Sequence, residues 1–416
     1  MDICIFNSNT NVNAQDYEVV ERKGIGHPDT ICDTLAEKIS ANYSLYTYQK
    51  YGHIFRHMID KLSILGGKTK VYFGGGEFIK PIRILLNGRF TGNFCDEKIP
   101  YIDIATETIY KHMKFLFPMI DCKKNIEIID NTHSSQGPGV VYKKDGTTNN
   151  ERSSFFNIKN EAFMQYHNNM NRTNDTSTTV SFYPYTVLEN VVLFVENQLN
   201  SEEFKKKYPF VGNDIKVMGT RIGKNIDITT CIPFISLYTP DKNFYKDNIS
   251  FLKNLLINML SKKYSDYSFN ISINTRDNLE NDDLYLTLTG SAVESGDEGA
   301  VGRGNRSCGF IPFCRNVSLE APCGKNPVYH TGKLFTAIGN IISNRIYSQT
   351  GIENTVYLTS QMGGKIEETW KIAIGLTNSP SISLELKNTI EDIVNEELKN
   401  HNKTTQDIIL EKIKLY

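Results

Sequence analysis

The sequence predicts a mixed α and β fold. Short runs of alternating or continuous apolar residues, typical of strands, recur along the chain, and amphipathic stretches typical of helices separate groups of them. With 416 residues and 39% apolar content, the chain can bury one large core or several smaller ones, which suits two or three domains. No internal sequence repeat is visible, so the pattern predicts mixed layers without fixing their topology.

Each predicted strand is short and bounded by polar or turn-forming residues. The predicted strands are residues 69–73, 82–86, 125–130, 214–218, 226–232, 283–290 and 355–360. Each predicted helix carries apolar residues three or four positions apart. The predicted helices are residues 28–50, 101–117, 187–199, 248–261, 332–348 and 384–399. Residues 142–179 are polar and weakly periodic, which indicates a long surface loop or an insertion.

Composition favours a small-molecule partner. The formal charge is −1 and no long basic run is present, so we expect neither nucleic-acid nor membrane binding. The longest apolar stretches, residues 191–195 and 228–238, are too short to span a bilayer, and the N-terminus lacks a signal pattern. The eight cysteines include no CxxC pair, which favours reduced structural thiols. We therefore expect a cytoplasmic protein.

Residues 21–33 gather a histidine, carboxylates and cations around one predicted helix start. Pro28 suits the first helical position, and Gly24 and Gly26 would let the entering backbone approach a ligand closely. His27 then lies beside free helix N–H groups, which favour anions such as phosphate.

Two carboxylates follow on the same helix. Ile31, Leu35 and Ile39 form an apolar stripe, whereas Asp29 and Asp33, four residues apart, share another face and could hold Mg²⁺. A helix with favourable acidic first-turn residues and a solvated histidine would show the same pattern.

Three further segments carry cations suited to phosphate. Residues 296–306 combine glycines with Arg303 and Arg306, whose forked donors suit phosphate oxygens, although a flexible surface loop is an equal alternative. Lys325 lies in a turn ahead of a predicted helix, and Lys216 lies on the polar face of a predicted strand. Either lysine could equally be solvated.

Motifs spread along the chain resemble those of the archaeal-type S-adenosylmethionine synthetases, also called methionine adenosyltransferases. The matching segments are residues 20–33 (VERKGIGHPDTICD), 73–77 (FGGGE), 174–177 (NDTS), 214–219 (DIKVMG), 286–306 (LTLTGSAVESGDEGAVGRGNR) and 318–327 (SLEAPCGKNP). They occur in the family's order over most of the chain. The resemblance implies three similar, intertwined α/β units, here approximately residues 1–135, 136–285 and 286–416. It also implies a homodimer with sites between subunits.

The resemblance also implies roles for individual residues. The implied catalytic residues are His27, Lys216, Asp297, Arg303 and Lys325. Those implied to bind ATP or its triphosphate are His27, Lys216, Arg303, Arg306, Lys325 and Asn326. Those implied to bind methionine are Asp60, Glu77, Asp175 and Asp297. Asp29 and Asp33 are the expected Mg²⁺ ligands, with K⁺ as a further cation.

The implied reaction is attack of the methionine sulfur on C5′ of ATP, with release of phosphate and pyrophosphate. Several segments depart from the family's pattern, and one of them is GKNPVNH, which reads GKNPVYH at residues 324–330. Two departures near the expected substrate pocket are larger: HHNTD reads Arg56-His57-Met58-Ile59-Asp60, and NDTSFGVGYAP reads NDTSTTVSFYP at residues 174–184. We expect these changes to affect recognition of the amino acid more than recognition of ATP. Two other readings stay open: a same-fold enzyme that uses ATP with another thioether or nucleophile, and a nucleotide-binding regulatory paralogue.

Overall fold

The structure is a computed structural model that describes residues 3–8, 11–134, 140–147, 156, 158–159, 172–378 and 381–416. Most of its helices are amphipathic segments with an identifiable first-turn cap. The helices are α1 (Pro28–Tyr51), α2 (Tyr101–Leu116), α3 (Cys122–Asn125), α4 (Val187–Leu199), α5 (Glu202–Lys207), α6 (Lys242–Lys263), α7 (Thr331–Thr350), α8 (Leu384–Lys399) and α9 (His401–Ile409).

The strands are mostly short, and long-range pairing joins them into sheets. They are β1 (Ile3–Ser8), β2 (Tyr17–Lys23), β3 (His57–Met58), β4 (Ser63–Leu65), β5 (Lys68–Tyr72), β6 (Gly75–Lys80), β7 (Ile82–Phe90), β8 (Asn93–Phe94), β9 (Glu97–Lys98), β10 (Ile126–His133), β11 (Thr178–Tyr183), β12 (Lys216–Ile222), β13 (Asn225–Cys231), β14 (Phe234–Ile235), β15 (Ser268–Ile273), β16 (Leu286–Thr287), β17 (Gly299–Ala300), β18 (Ile311–Pro312), β19 (Asn354–Thr359) and β20 (Lys371–Thr377).

Three larger sheets, each packed against helices, organise the described residues. The first has the order β10-β7-β4-β17, and its core is shared with α1 and α2. The second has the order β15-β13-β12-β2-β18 and packs with α4 and α6. The third has the order β1-β20-β19-β11 and packs with α7 and α8. The predicted mixed α/β class is confirmed.

Strands from distant parts of the chain meet in each sheet, so the three units are intertwined. β2 pairs with β12 in the second sheet, β17 pairs with β4 in the first, and β1 pairs with β20 in the third. The division of the chain into units at residues 135 and 285 stays a prediction. Strands that lie on opposite sides of each boundary in the sequence pair with one another.

Helix α1 lies in the centre of this arrangement. The predicted apolar stripe is confirmed, since Ile31, Leu35 and Ile39 are all fully buried in the core of the first unit. The polar face of α1 is also covered, because Asp29 and Asp33 are only 6% and 2% exposed. Loops from the C-terminal part of the chain cover this face, and they carry the site described below.

The strand predicted at residues 283–290 is largely wrong. Only Leu286–Thr287 form a strand, and Gly290 adopts a positive φ of 94°. The backbone N–H groups of Leu288 and Thr289 donate to the buried carboxylate of Glu294 instead of a neighbouring strand. A side-chain acceptor thus replaces the sheet ladder.

Other differences concern boundaries and omissions. α6 starts six residues before the predicted 248, at Lys242, where Asp241 caps it by accepting from the N–H of Phe244 at 2.8 Å. The prediction omitted helices α3, α5 and α9 and many strands, of which the longer ones are β1, β2, β6, β11, β15 and β20. All eight cysteines are free, as predicted. Within the described residues, every helix is too short or too polar to cross a bilayer. Part of the predicted insertion at 142–179 lies outside the described residues.

Candidate active site

The candidate site forms around the first turn of α1. His27 caps the helix, and its Nδ1 accepts a hydrogen bond from the backbone N–H of Asp29 at 3.2 Å. Burial lowers the pKa of His27 to about 4, although the Asp29 carboxylate acts in the opposite direction. His27 is therefore a neutral imidazole at pH 7. Because Nδ1 accepts, Nε2 carries the proton and can donate it in a hydrogen bond to an anion.

Gly24 and Gly26 have a packing role in the structure, and their predicted approach to a ligand stays a prediction. Their backbone N–H groups donate to the carbonyls of Ile215 and Asn213 at 2.7 and 3.1 Å. A Cβ at Gly26 would lie 2.6 Å from the carbonyl carbon of Asn213. The glycines thus let the segment before α1 pack against the segment before β12, which places His27 next to the start of that strand.

Two lysines face each other beside His27. Lys23 and Lys216 are direct partners in the antiparallel pairing of β2 with β12. Lys23 Nζ lies 2.8 Å from Asp29 Oδ2, and Lys216 Nζ lies 3.2 Å from Glu21 Oε1. Like charges opposite each other on neighbouring strands repel, so these carboxylates stabilise the pair and a bound anion would stabilise it further. The Lys216 side chain is 41% exposed and can reach a ligand.

The glycine-rich segment, residues 296–306, crosses the start of α1. A Cβ at Gly299 would lie 2.3 Å from the carbonyl of Pro28, so only glycine permits this approach. The Asn305 side chain is bonded to the backbone of Lys23 in both directions: Oδ1 accepts from N–H at 3.0 Å and Nδ2 donates to the carbonyl at 2.8 Å. Lys23 Nζ also donates to the carbonyl of Arg303 at 2.7 Å.

The same segment leaves two predicted side chains exposed. Arg303 and Asp297 are exposed, and the charge of Asp297 acts on His27. Arg306 is half-buried and donates to the carbonyl of Gly302 at 3.3 Å. The backbone of the segment is therefore fixed, while the Arg303 guanidinium is available to an incoming phosphate.

The two predicted metal ligands have different surroundings. Asp29 Oδ1 accepts from the N–H of Ala300 at 3.1 Å, and its Oδ2 faces Lys23. Asp33 Oδ1 accepts from the N–H of Gly302 at 2.8 Å, whereas Asp33 Oδ2 is buried and finds no hydrogen-bond partner in the described residues. Burial raises the pKa of Asp33 to about 7.

The donor set allows Mg²⁺ only together with substrate oxygens. Among the described residues, no three His, Cys, Asp or Glu side chains converge as a metal-binding group. Mg²⁺ commonly takes only one or two carboxylates and completes its shell with water and phosphate. Asp29 fits this pattern because it lies beside the cations expected to bind phosphate, and Mg²⁺ would have to displace the Lys23 ammonium from its Oδ2. Asp33 fits it less well, since a Cβ at Gly304 would lie 2.2 Å from Asp33 Oδ2, which shows how closely the segment covers it.

A second cluster surrounds Lys325, which is only 4% exposed. Lys325 Nζ lies 2.6 Å from Glu320 Oε1 and 3.1 Å from Asp60 Oδ2, and it donates to the carbonyl of Ala321 at 2.6 Å. Burial would raise the pKa of Asp60, but Lys325 and Lys61 together hold it below its usual value. Lys325, an expected phosphate ligand, is thus paired directly with Asp60, an expected methionine ligand.

Asn326 is fully buried and bonded within the protein. Its Nδ2 donates to the carbonyl of Phe55 at 2.9 Å, and its Oδ1 accepts from the N–H of Val328 at 3.0 Å. This geometry suits support of the turn that carries Lys325 better than direct contact with ATP.

A family model described as S-adenosylmethionine synthetase (AdoMet synthetase) matches residues 3–412. The chain belongs to the S-adenosylmethionine synthetase family. The S-adenosylmethionine synthase of Saccharolobus islandicus strain Y.N.15.51 is 37% identical over 406 residues, covering 96% of this chain and 95% of that protein. The S-adenosylmethionine synthase of Sulfurisphaera tokodaii is 35% identical over 412 residues, covering 97% of each chain.

The fold is similar to that of a solved S-adenosylmethionine synthetase. The unusual S-adenosylmethionine synthetase from Campylobacter jejuni superposes with a TM-score of 0.57 at 12% identity, covering 92% of this chain and 88% of that one. The resemblance inferred from the motifs is thereby confirmed, and so is the synthetase fold.

The remaining residues expected to bind methionine are spread more widely. Asp175 lies beside Tyr329, because the N–H of Asn174 donates to the Tyr329 carbonyl at 3.2 Å. Glu77 is exposed on β6 in the hairpin with β5. No hydrogen bond or ion pair found in the described part of the chain joins Glu77 to the His27 or Lys325 cluster.

Two departures from the synthetase family's pattern lie in contact. The Arg56 guanidinium stacks over the Tyr329 ring at 4.3 Å from its centroid. Arg56 replaces the first histidine of HHNTD, and Tyr329 replaces an asparagine in GKNPVNH. Sequence comparison noted both changes, but their contact required the fold.

Sequence reasoning missed two residues of the site. Lys23 was included in the motif without a role, although its position four residues before His27 was a usable signal. Glu320, which pairs with Lys325 at 2.6 Å, was likewise included in the motif at residues 318–327 without a role, because the turn that brings it to Lys325 was not predictable from spacing.

Proposed function

We propose that this protein is an S-adenosylmethionine synthetase, which joins L-methionine to the adenosyl group of ATP and releases phosphate and pyrophosphate. The observation that supports this most strongly is the convergence of His27, Lys23, Lys216 and Arg303 at the N-terminus of α1. A helix N-terminus flanked by cations favours a polyphosphate. Family membership supports the same activity.

The reaction depends on alignment and charge. The methionine sulfur carries no proton, so its attack on C5′ of ATP needs no general base. The tripolyphosphate leaves as the C5′–O bond breaks, and water then hydrolyses it to the pyrophosphate and phosphate that are released. Negative charge develops on the triphosphate during the first of these steps. Lys216 and Arg303 are proposed to neutralise this charge. The neutral imidazole of His27 is proposed to donate a hydrogen bond to the triphosphate through Nε2.

Mg²⁺, when bound, would neutralise phosphate charge and orient the triphosphate. Asp29 is the proposed protein ligand, and Asp33, four residues further along α1, is proposed as the second carboxylate of the site. K⁺ is proposed as a further cation on the basis of the resemblance. Lys23 then balances Asp29 in the absence of the metal, at 2.8 Å.

Lys325 is proposed to lie between the bound triphosphate and the bound methionine. Its partner Glu320 is 29% exposed and Asp60 is 8% exposed, so Glu320 is the partner that a phosphate oxygen can replace. Asp60 then remains to receive the methionine ammonium, together with Asp297, Asp175 and Glu77 as proposed by resemblance.

We also propose a cytoplasmic homodimer with sites between subunits, as in the family. Mass photometry of the purified protein checks the dimer, which should have twice the chain mass of 47.3 kDa. A second acceptor, another thioether, is favoured by one observation: the Arg56–Tyr329 stack replaces two family residues at the expected amino-acid side.

The decisive experiment incubates the purified protein with Mg²⁺, ATP and methionine and resolves the products by mass spectrometry. We expect S-adenosylmethionine, pyrophosphate and phosphate. Phosphate release without a methionine-derived product would reject the proposal, and an adduct with ethionine or another thioether in preference to methionine would favour the second acceptor.

A further inference from the structure

The buried polar face of α1 continues beyond the residues used in the proposed reaction. Glu37 and Ser40 are 5% and 0% exposed, and they follow Asp33 by four and seven residues. Lys333, on the first turn of α7, is also fully buried against them. Buried charges are costly unless they are paired, so this group calls for an explanation.

These three side chains hold one peptide segment at both ends. Glu37 Oε2 accepts from the backbone N–H of Gly324 at 3.1 Å, and the Ser40 hydroxyl donates to the carbonyl of Lys325 at 3.1 Å. Lys333 Nζ joins the two anchors, since it lies 2.8 Å from Glu37 Oε2 and donates to Ser40 Oγ at 3.3 Å.

The surroundings leave this segment little freedom. Gly324 has a φ of 76°, and a Cβ there would lie 2.8 Å from the carbonyl oxygen of Ile59. On the far side of Ser40, His57 Nε2 lies 2.7 Å from Ser40 Oγ. Attachment at the N–H of Gly324 and at the carbonyl of Lys325 fixes the backbone from which the Lys325 side chain extends.

We propose that Glu37, Ser40 and Lys333 form a clamp that positions Lys325 for the triphosphate. The clamp residues contact no substrate in this proposal and are positioning residues. The inference rests on the proposed role of Lys325 in the synthetase reaction. Misplacement of a catalytic group by about 1 Å can cost up to roughly 100-fold in rate, so a clamp of this kind would affect turnover.

The chain offers a matched control one turn further along α1. Ser44 is also fully buried on this helix, but its hydroxyl has no hydrogen-bond partner among the residues that the structure describes. Ser40→Ala and Ser44→Ala are therefore the same change at two buried sites of one helix. Alanine is the best helix former, so both variants should fold, which thermal melts verify.

We expect Ser40→Ala to lower kcat about tenfold with little change in KM for methionine, and Ser44→Ala to stay within about twofold of the parent. In a Lys325→Ala background, Ser40→Ala should cost nothing further, because the group that it positions is gone. If Ser40 had only a structural role, Ser40→Ala would instead lower the stability of the fold. The losses of turnover caused by Ser40→Ala and Lys325→Ala would then add.

Equal turnover of Ser40→Ala and Ser44→Ala would overturn the clamp, as would a full additional loss in the Lys325→Ala background. If Lys325→Ala keeps parental turnover, the clamp and the role of Lys325 both fail while the activity itself stands. Absence of S-adenosylmethionine from the parent protein would instead mark failure of the proposed function. Should Ser40→Ala not fold, Ser40→Cys against Ser44→Cys makes the same comparison, because a thiol is a weak hydrogen-bond donor.

Discussion

Lys23 and Lys216 face each other across two strands, but only one of them is free to act on a ligand. Lys23 is held by Asp29 and by the carbonyl of Arg303, at 2.8 and 2.7 Å, and so supports the glycine-rich segment. Lys216 has one partner and is 41% exposed. The structure thus separates a supporting lysine from one that can meet the triphosphate.

The first prediction follows from this difference. Lys216→Ala and Arg303→Ala should each lower kcat by roughly 100-fold, because a group that stabilises the developing anion is lost. Lys224→Ala, an exposed lysine at the end of the β12–β13 hairpin, is the control and should be neutral. Steady-state product assays measure all three, and near-parental turnover of both site variants would refute the assignment.

A second prediction concerns Asp29. Asp29→Asn replaces a carboxylate ligand with a neutral amide, so the Mg²⁺ concentration for half-maximal activity should rise about tenfold or more. Asp247→Asn, an exposed aspartate on α6, is the control. An Mg²⁺ titration curve identical to that of the parent would remove Asp29 from the metal site.

At the scale of elements, α1 shows what a sequence pattern can and cannot predict. Its bounds and its apolar stripe followed from the spacing of Ile31, Leu35 and Ile39. Its polar face was predicted to bind ions or to be solvated, yet Asp29 and Asp33 accept hydrogen bonds from Ala300 and Gly302, about 270 residues away. Such partners depend on tertiary structure, which local periodicity does not contain.

The omission of β2 has a physical reason. β2 reads YEVVERK, in which charged residues interrupt any simple alternation, yet Glu18, Glu21 and Arg22 are buried by ion pairs and hydrogen bonds. Arg22 Nε lies 2.6 Å from Glu196, and Glu18 lies 3.0 Å from Arg221 Nε. Because its charges are paired, β2 is a buried strand, although its hydropathy pattern alone predicts a polar segment.

The third prediction belongs to the contact between β3 and the turn before α7. Reverting Arg56→His together with Tyr329→Asn should change KM for methionine, or preference among its analogues, at least threefold more than KM for ATP. The Tyr329 carbonyl accepts from the N–H of Asn174, next to Asp175, which is expected to bind methionine, and a cation–π contact of this kind is worth about 1 kcal/mol.

Each single reversion serves as a control for the pair. If the residues act as a unit, the single changes should not add up to the double change. An effect on ATP that equals or exceeds the effect on methionine would contradict the division into a nucleotide half and an amino-acid half.

At the scale of the whole molecule, buried histidines link stability to pH. Burial lowers the pKa of His27 to about 4 and the pKa values of His57, His112 and His330 to about 3. The unfolded chain, with histidine pKa values near 6.5, therefore binds more protons than the folded protein between about pH 3 and 6.5. Their contribution to stability is complete above pH 6.5 and is lost progressively as the pH falls.

The fourth prediction tests this linkage with one residue. His112 is buried on α2, and within the described part of the chain its Nε2 has no hydrogen-bond partner. Each such histidine can contribute up to about 1.4 kcal/mol per pH unit, so His112→Gln should flatten the fall of the melting temperature between pH 6.5 and 4.5. His133→Gln, at an exposed histidine, should leave the slope unchanged. Equal slopes for the two variants would contradict the assignment.

The general class of the fold was predictable, whereas its connections were not. Six predicted helices correspond to α1, α2, α4, α6, α7 and α8, since amphipathic spacing is a local property. The exchange of strands among three sheets, by contrast, joins residues such as Lys23 and Lys216 that are far apart along the chain. Only the resemblance to a known family predicted that the units are intertwined.

The pairing of β2 with β12 also bears on how the protein acquires its activity. β2 leads directly into α1, yet it pairs with a strand that begins at residue 216, and its last residue is bonded to Asn305. Contacts of such long sequence separation slow folding, because loop-closure entropy is lost before they form. We therefore expect nascent chains that end before residue 305 to be inactive, and during refolding activity should return only after most of the helical signal has recovered.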